Sequence, residues 1–185
     1  MPGTDTKTPQ EVYSFWFEQL TRKDWFEKND ALDEAMRQHF AATHLSLARG
    51  ELDGWRASPR DRLAAILVLD QLSRNLYRGT PLSFAADWIA LREAKLAIEA
   101  GADMALGTDE RCFFYLPFEH SEVLAEQDRS VELFTLLGDA DYLNYAERHR
   151  EVIRQFGRFP HRNPILGRQS TAAELEYLSK PGAGF

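Results

Sequence analysis

The sequence predicts an all-α protein of about eight helices, joined by short turns into antiparallel hairpins. Three observations predict it. Apolar residues recur at helical spacing along most of the 185 residues, with almost no strand-like alternation. Ser, Thr or Asp followed by Pro or an acid opens several of these segments, and glycine closes most of them. The connections are short, which makes consecutive helices antiparallel neighbours.

In chain order, Thr8-Pro9-Gln10-Glu11 is a capping box with proline at the first helical position, so a helix should run from Pro9 to about Leu20. Asp30 to Arg49 carries Leu32, Met36, Phe40 and Leu47 at helical spacing, and Gly50 stops it. Ser58-Pro59 opens the next helix, which continues to about Arg78 before Gly79. Its first half is apolar nearly all round, so it should be central. Phe84 to Ala100 follows, closed by Gly101, and Thr108 caps a short aromatic segment. Pro117 to Leu137 reads as one helix ended by Gly138, and Asp141 to Phe156 as another ended by Gly157. Thr171-Ala172-Ala173-Glu174 is a second capping box, opening a short last helix to Leu178. The length suits a single domain, 1–185, able to bury roughly 70% of its unfolded surface.

Composition narrows the function classes. A net charge of -7 disfavours broad binding to nucleic acid or to anionic membranes. The only cysteine, Cys112, excludes an intrachain disulfide and a multi-cysteine zinc site, and its aromatic neighbours make it a packing residue. The start, MPGTDTKTPQ, has no apolar segment of the secretory kind, and Leu63 to Leu69 is far too short to span a bilayer. The expectation is a soluble cytoplasmic protein. Phosphate-loop, dinucleotide, HExxH and GxSxG patterns are all missing, so neither cofactor nor metal is expected.

Against that acidic background, Arg148 to Arg168 inverts the charge: six arginines, two histidines and one acid. Arginine grips carboxylate or phosphate through paired hydrogen bonds. Within it, Gly157-Arg158-Phe159-Pro160-His161-Arg162-Asn163-Pro164 is stiffened by two prolines and anchored by Phe159. Such a loop is either a cradle for an anion or a staple that ties helices together.

Polar residues inside apolar stripes mark the other candidates, because a buried polar group needs a partner or a purpose. Asp70 and Arg74 stand four apart on the central helix, the spacing of an ion pair. On the Pro117–Leu137 helix, His120 shares a face with Leu124, Gln127, Val131 and Phe134. Glu119 lies a quarter turn away, favoured there by the positive helix start. On the following helix, His149 shares its face with Tyr142, Tyr145, Val152, Ile153 and Phe156. Packed as a hairpin, these two helices would offset His120 and His149 by an axial gap of about 10 Å, too far to share one metal. A common pocket closed by the His161 loop is compatible with that offset.

The chain resembles the bacterial domain-of-unknown-function family numbered 924. The matching pieces are Phe15-Trp16-Phe17, Asp70-Gln71 with Arg74-Asn75-Leu76-Tyr77-Arg78-Gly79, Leu116 through Glu122, and Tyr145 through Gly167. The resemblance implies a TPR-like right-handed superhelix and no settled activity. One departure stands out: Leu72-Ser73 occupies the place of an expected Phe-Pro, and a proline there would kink the helix just past Asp70.

The candidate site is therefore Asp70, Arg74, Glu119, His120, His149, Arg158, His161 and Arg162. As a binding module, the cluster would hold a small anionic ligand or an acidic peptide segment. As a hydrolase or transferase, a histidine would act as acid–base with Glu119 or Asp70 orienting it, while the loop arginines stabilise negative charge. As a structural lock, the same groups would pair with one another and leave function to an outer surface.

Overall fold

The computed structural model describes residues 5–184, so residues 1–4 of the polar start lie outside the described part. The described residues are all-helical, with no strand among them. Among the described residues ten α-helices are formed: α1 (Pro9–Ser14), α2 (Arg22–Phe26), α3 (Asp30–Ala48), α4 (Pro59–Ile66), α5 (Ser73–Leu76), α6 (Asp87–Glu99), α7 (Thr108–Glu119), α8 (Leu124–Leu137), α9 (Ala140–Phe156) and α10 (Ala172–Leu178). No helix among the described residues is long and apolar enough to cross a membrane.

The local signals explain most boundaries. Thr8 accepts from the Glu11 backbone while the Glu11 carboxylate accepts from the Thr8 N–H, and Thr171 and Glu174 repeat the arrangement at α10. Ser58 and Asp139 cap α4 and α9 with their side chains. Gly138 and Gly157 close α8 and α9 in the left-handed region, at φ 81° and 68°.

Two stretches depart from the expected regular helix. α1 runs on as a π-helix, Phe15–Gln19, and α4 as a π-helix, Leu67–Leu72, before α5. The second bears on Ser73, where a proline would have interrupted the ladder. Here the Ser73 hydroxyl donates to the Leu69 carbonyl at 2.6 Å, and His44 Nε2 lies 2.8 Å from the same hydroxyl. The helix is therefore irregular around Asp70, from Leu67 to Leu72, without any proline, and the Ser73 side chain takes up a carbonyl of that π-helical stretch.

The largest correction concerns Pro117. It does not open a helix but lies inside α7, which carries the aromatic segment from Thr108 to Glu119. The chain then turns through residues 120–123 before α8 begins at Leu124. Proline fits a helix start, but its meaning depends on the residues before it. Here those residues, Cys112 to Leu116, are buried and already helical.

Packing divides the chain into two compact units. One contains the residues up to Arg78 together with Leu82–Pro117; the other contains Gly79–Pro81 and the residues from Phe118 onward. In the first, α4 packs against α1 and α6, while α3 packs against α5 and the Leu67–Leu72 segment, every residue of which is buried. In the second, α8 and α9 form an antiparallel hairpin, and α10 packs on the turn at Pro160–Arg162.

Candidate functional site

The second unit gathers five of the eight predicted residues around one ring. Phe159 has no exposed surface. The His149 ring meets it edge-on, with centroids 5.6 Å apart, and the His161 ring lies at the same separation. The Arg162 guanidinium sits over the Phe159 face at 4.6 Å and donates from Nη2 to the His120 carbonyl at 3.0 Å. Glu119 Oε1 lies 3.2 Å from His149 Nδ1.

The corrected α7–α8 boundary makes this possible. Glu119 is the last residue of α7 and His120 lies in the turn after it, so the axial offset expected from one long helix disappears. Glu119 is at the negative end of its helix, where the dipole disfavours a carboxylate. The turn is held by Gln127 of α8, whose Nε2 donates to the carbonyls of Glu119 and Ser121, each at 2.6 Å. That commitment aims Gln127 Oε1 the other way; this atom and the Ser130 hydroxyl are buried with no hydrogen-bond partner.

His149 is a neutral imidazole of fixed tautomer. Its Nδ1 lies 2.8 Å from the Tyr145 carbonyl, which can only accept, so Nδ1 carries the proton. Burial pushes its pKa down to about 3, with the nearby His120, His161 and Arg162 adding to the shift. Burial also pushes His161 down to about 4, helped by the charge on Arg162. Gly184 packs over His161; a Cβ at this glycine would stand 3.0 Å from the His161 Cβ.

Two arginines of the segment, Arg158 and Arg168, are answered by carboxylates. Arg158 grips Glu174 through two bonds of 2.6 and 2.8 Å, and Arg168 grips Glu122 through bonds of 2.7 and 2.9 Å. Glu122 also accepts the Phe159 backbone N–H at 2.8 Å, and Asn163 links the two halves through Arg168 and Glu174. The Arg158 bond and the capping-box bonds hold Glu174 down to about pKa 2. Although burial pushes Glu122 up, the Arg168 guanidinium and the Phe159 amide hold it below its usual value.

Arg158 therefore belongs to the staple beside the cluster. Asp70 and Arg74 lie in the other unit. There Arg74 Nη2 stands 3.8 Å from Asp70, but its close bonds go to Asp87, at 2.5 and 3.0 Å, and to the Ser83 carbonyl. Asp70 accepts from Gln71 Nε2 at 2.6 Å.

Sequence reasoning did not include Glu122, Gln127, Asn163, Arg168 or the second role of Glu174 among the site residues. Gln127 left a signal as a polar residue on the His120 face, Asn163 and Arg168 as members of the arginine-rich segment, and Glu174 as the capping-box acid of the helix that follows it. Two shallow clefts open on this unit. One, of ≈ 560 Å³, is lined by residues including Phe156, Arg158 and Glu174; the other, of ≈ 290 Å³, by residues including Arg148, Tyr177 and Lys180. Neither is lined by His120, His149, His161, Glu119 or Arg162. Among the described residues no three His, Cys, Asp or Glu groups are placed to hold a metal ion.

The pattern of the bacterial family DUF924, described as proteins of unknown function, matches residues 12–182. The chain belongs to the DUF924 family. A solved structure, that of the protein of unknown function ATU0120 from Agrobacterium tumefaciens, is similar at 42% identity and a TM-score of 0.88, over 92% of this chain and 96% of that one. No curated protein matches. For this DUF924 chain, the motif's residues from Asp70 to Arg78 lie in the first unit, while Tyr145-to-Gly167 builds the Phe159 cluster in the second.

Proposed function

We propose that this DUF924 protein is a cytoplasmic helical binding module, that its His/Arg cluster is a structural lock, and that its ligand is taken on an outer face. One observation carries the reading: the segment's arginines are spent inside their own unit, Arg158 on the Glu174 carboxylate, Arg168 on the Glu122 carboxylate and Arg162 on the His120 carbonyl. An anion cradle needs guanidinium donors turned outward, whereas these stitch α9, the loop and α10 to one another. The imidazoles point the same way. A general base works best with a pKa near the working pH, and His149 is pushed down to about 3.

A hydrolase or transferase at the Glu119–His149 pair is the second reading, favoured by the 3.2 Å approach that would orient an imidazole. A panel of phosphatase and esterase substrates, run with wild type and His149→Gln, separates the two. The binding-module reading expects turnover no higher than the blank in either protein. Turnover by wild type that His149→Gln abolishes would overturn it.

A further inference from the structure

In the first unit, two arginines share one carboxylate. Arg56 donates from Nε and Nη2 to Glu93, at 2.8 and 2.7 Å, and Arg92 donates from Nε and Nη2 to the same group, at 3.1 and 2.9 Å. Glu93 is buried, with 4% of its side chain exposed, while Arg56 and Arg92 are 43% and 46% exposed. One negative charge therefore holds two positive ones, and one positive charge is left over at the surface. A guanidinium has five N–H donors, and the Nη1 donors of both arginines make none of these bonds.

The same face carries exposed apolar surface. Trp88 is 65% exposed and lies one helical turn before Arg92, whose guanidinium sits 5.7 Å from its ring. Leu96, one turn further on, is 38% exposed, and Leu82, in the turn before α6, is 54% exposed. Lys95 adds a second cation to the ridge, and Glu99 is at its far end. On a chain of net charge -7, an arginine pair with donors left over, beside an exposed indole, is a local reversal of charge with an apolar grip next to it.

We infer that the Trp88–Arg92–Arg56 face of α6 is a docking surface for an acidic peptide segment carrying an apolar anchor. The inference rests on the binding-module reading and names its surface and partner class. A partner carboxylate would bridge the outward Nη1 groups of Arg56 and Arg92, each already oriented by Glu93, so little rotamer freedom is lost on binding. An aliphatic or aromatic side chain one turn away would lie on the Trp88 ring, which is amphipathic and suits a half-exposed contact. Charge complementarity selects the partner: a basic segment meets the surplus cation, and a second copy of this acidic chain meets net repulsion.

The test is tryptophan fluorescence, because Trp16 and Trp55 are buried and Trp25 is half-buried, which leaves Trp88 the most solvent-exposed indole. The probe is a blocked synthetic heptapeptide of five acidic residues, one leucine and one phenylalanine, with a control whose acids are replaced by glutamine. The acidic peptide should bind saturably and weaken about tenfold or more as salt rises and screens the charges, and the control should not bind. Trp88→Ala, followed by calorimetry, should lose at least about tenfold in affinity (about 1.4 kcal/mol) with an unchanged melting temperature, and Arg56→Gln should lose as much while circular dichroism shows it still folded, although the loss of a Glu93 partner lowers its melting temperature; Arg129→Gln in α8 should bind as wild type does. No saturable binding by wild type at millimolar peptide, or binding that Trp88→Ala leaves intact, overturns the inference. So does a wild-type dimer in sedimentation that Trp88→Ala dissociates, which would assign the face to a second copy. A silent peptide with a silent substrate panel sinks this surface alone; histidine-dependent turnover sinks the reading beneath it.

Discussion

Lowering the pH from 7 to 5 should destabilise this protein through three histidines. His149 is held at about pKa 3, and His161 and His44 at about 4, each by burial first of all. The usual value is 6.5. With the folded-state pKa depressed, the native state binds fewer protons than the unfolded chain, so stability is full above 6.5 and is lost as the pH falls toward the folded values. At pH 5 the unfolded chain has gained about one and a half pH units of protonation free energy per histidine, or about 2 kcal/mol each, about 6 kcal/mol together. That is a large share of the roughly 5–15 kcal/mol of a typical domain. Carboxylates held low, such as Glu174 at about 2 and Glu122 below its usual value, give up their contribution only below about pH 4.5, so the window from 6.5 to 5 belongs to the histidines. The hydrogen bonds agree with neutral rings. His149 Nδ1 donates to the Tyr145 carbonyl, and because the Ser73 hydroxyl spends its proton on Leu69, His44 Nε2 must donate to Ser73. Urea unfolding at half-unit pH steps should show a slope approaching three protons per molecule near pH 5, and His149→Gln should remove about one of them. A slope below one proton would refute the burial argument.

Three further outcomes follow from the same contacts. Phe159→Ala empties the centre of the cluster and should cost about 3–5 kcal/mol in chemical denaturation, with the His161 pKa rising toward its usual value by NMR; a loss under about 1 kcal/mol would contradict its place as hub. Glu122→Gln leaves the Arg168 fork without its carboxylate, so exchange of the Phe159 amide proton, which Glu122 now accepts, should accelerate at least about tenfold relative to α8 amides. Ser130→Ala removes a buried hydroxyl that has no partner and should raise stability by about 1 kcal/mol; a fall instead would assign that hydroxyl an internal water.

What could be read from the sequence was local. The boxes at Thr8–Glu11 and Thr171–Glu174 and the stops at Gly138 and Gly157 are written within a turn of the ends they set, and all four are formed. The Asp70–Arg74 spacing was equally visible, but the stronger partner of Arg74 is Asp87, thirteen positions away across a turn that no helical period encodes. The π-helical stretch Leu67–Leu72 left no trace in the apolar pattern, because a segment buried all round has no periodicity to lose. Pro117 misled for a physical reason: proline favours a first turn and forfeits a backbone bond later in a helix, yet here the buried aromatic turn before it is already helical, which moved Glu119 from the favourable to the unfavourable end of a helix. The same placement decided whether His120 met His149. That the loop arginines would be spent on Glu122 and Glu174 depended on which acids the fold brings within reach.

Whether the Arg148–Arg168 segment locks its own unit or holds an anion is decided by thermal unfolding against rising concentrations of phosphate and citrate, with Arg162→Lys alongside. The lock predicts no saturable gain for wild type, and a lower melting temperature for Arg162→Lys that either anion leaves unchanged, since the guanidinium over Phe159 supports the unit whether or not an anion is present. A saturable rise in the wild-type melting temperature that Arg162→Lys abolishes would contradict it, because only bound anion at that arginine stabilises the folded state in this way.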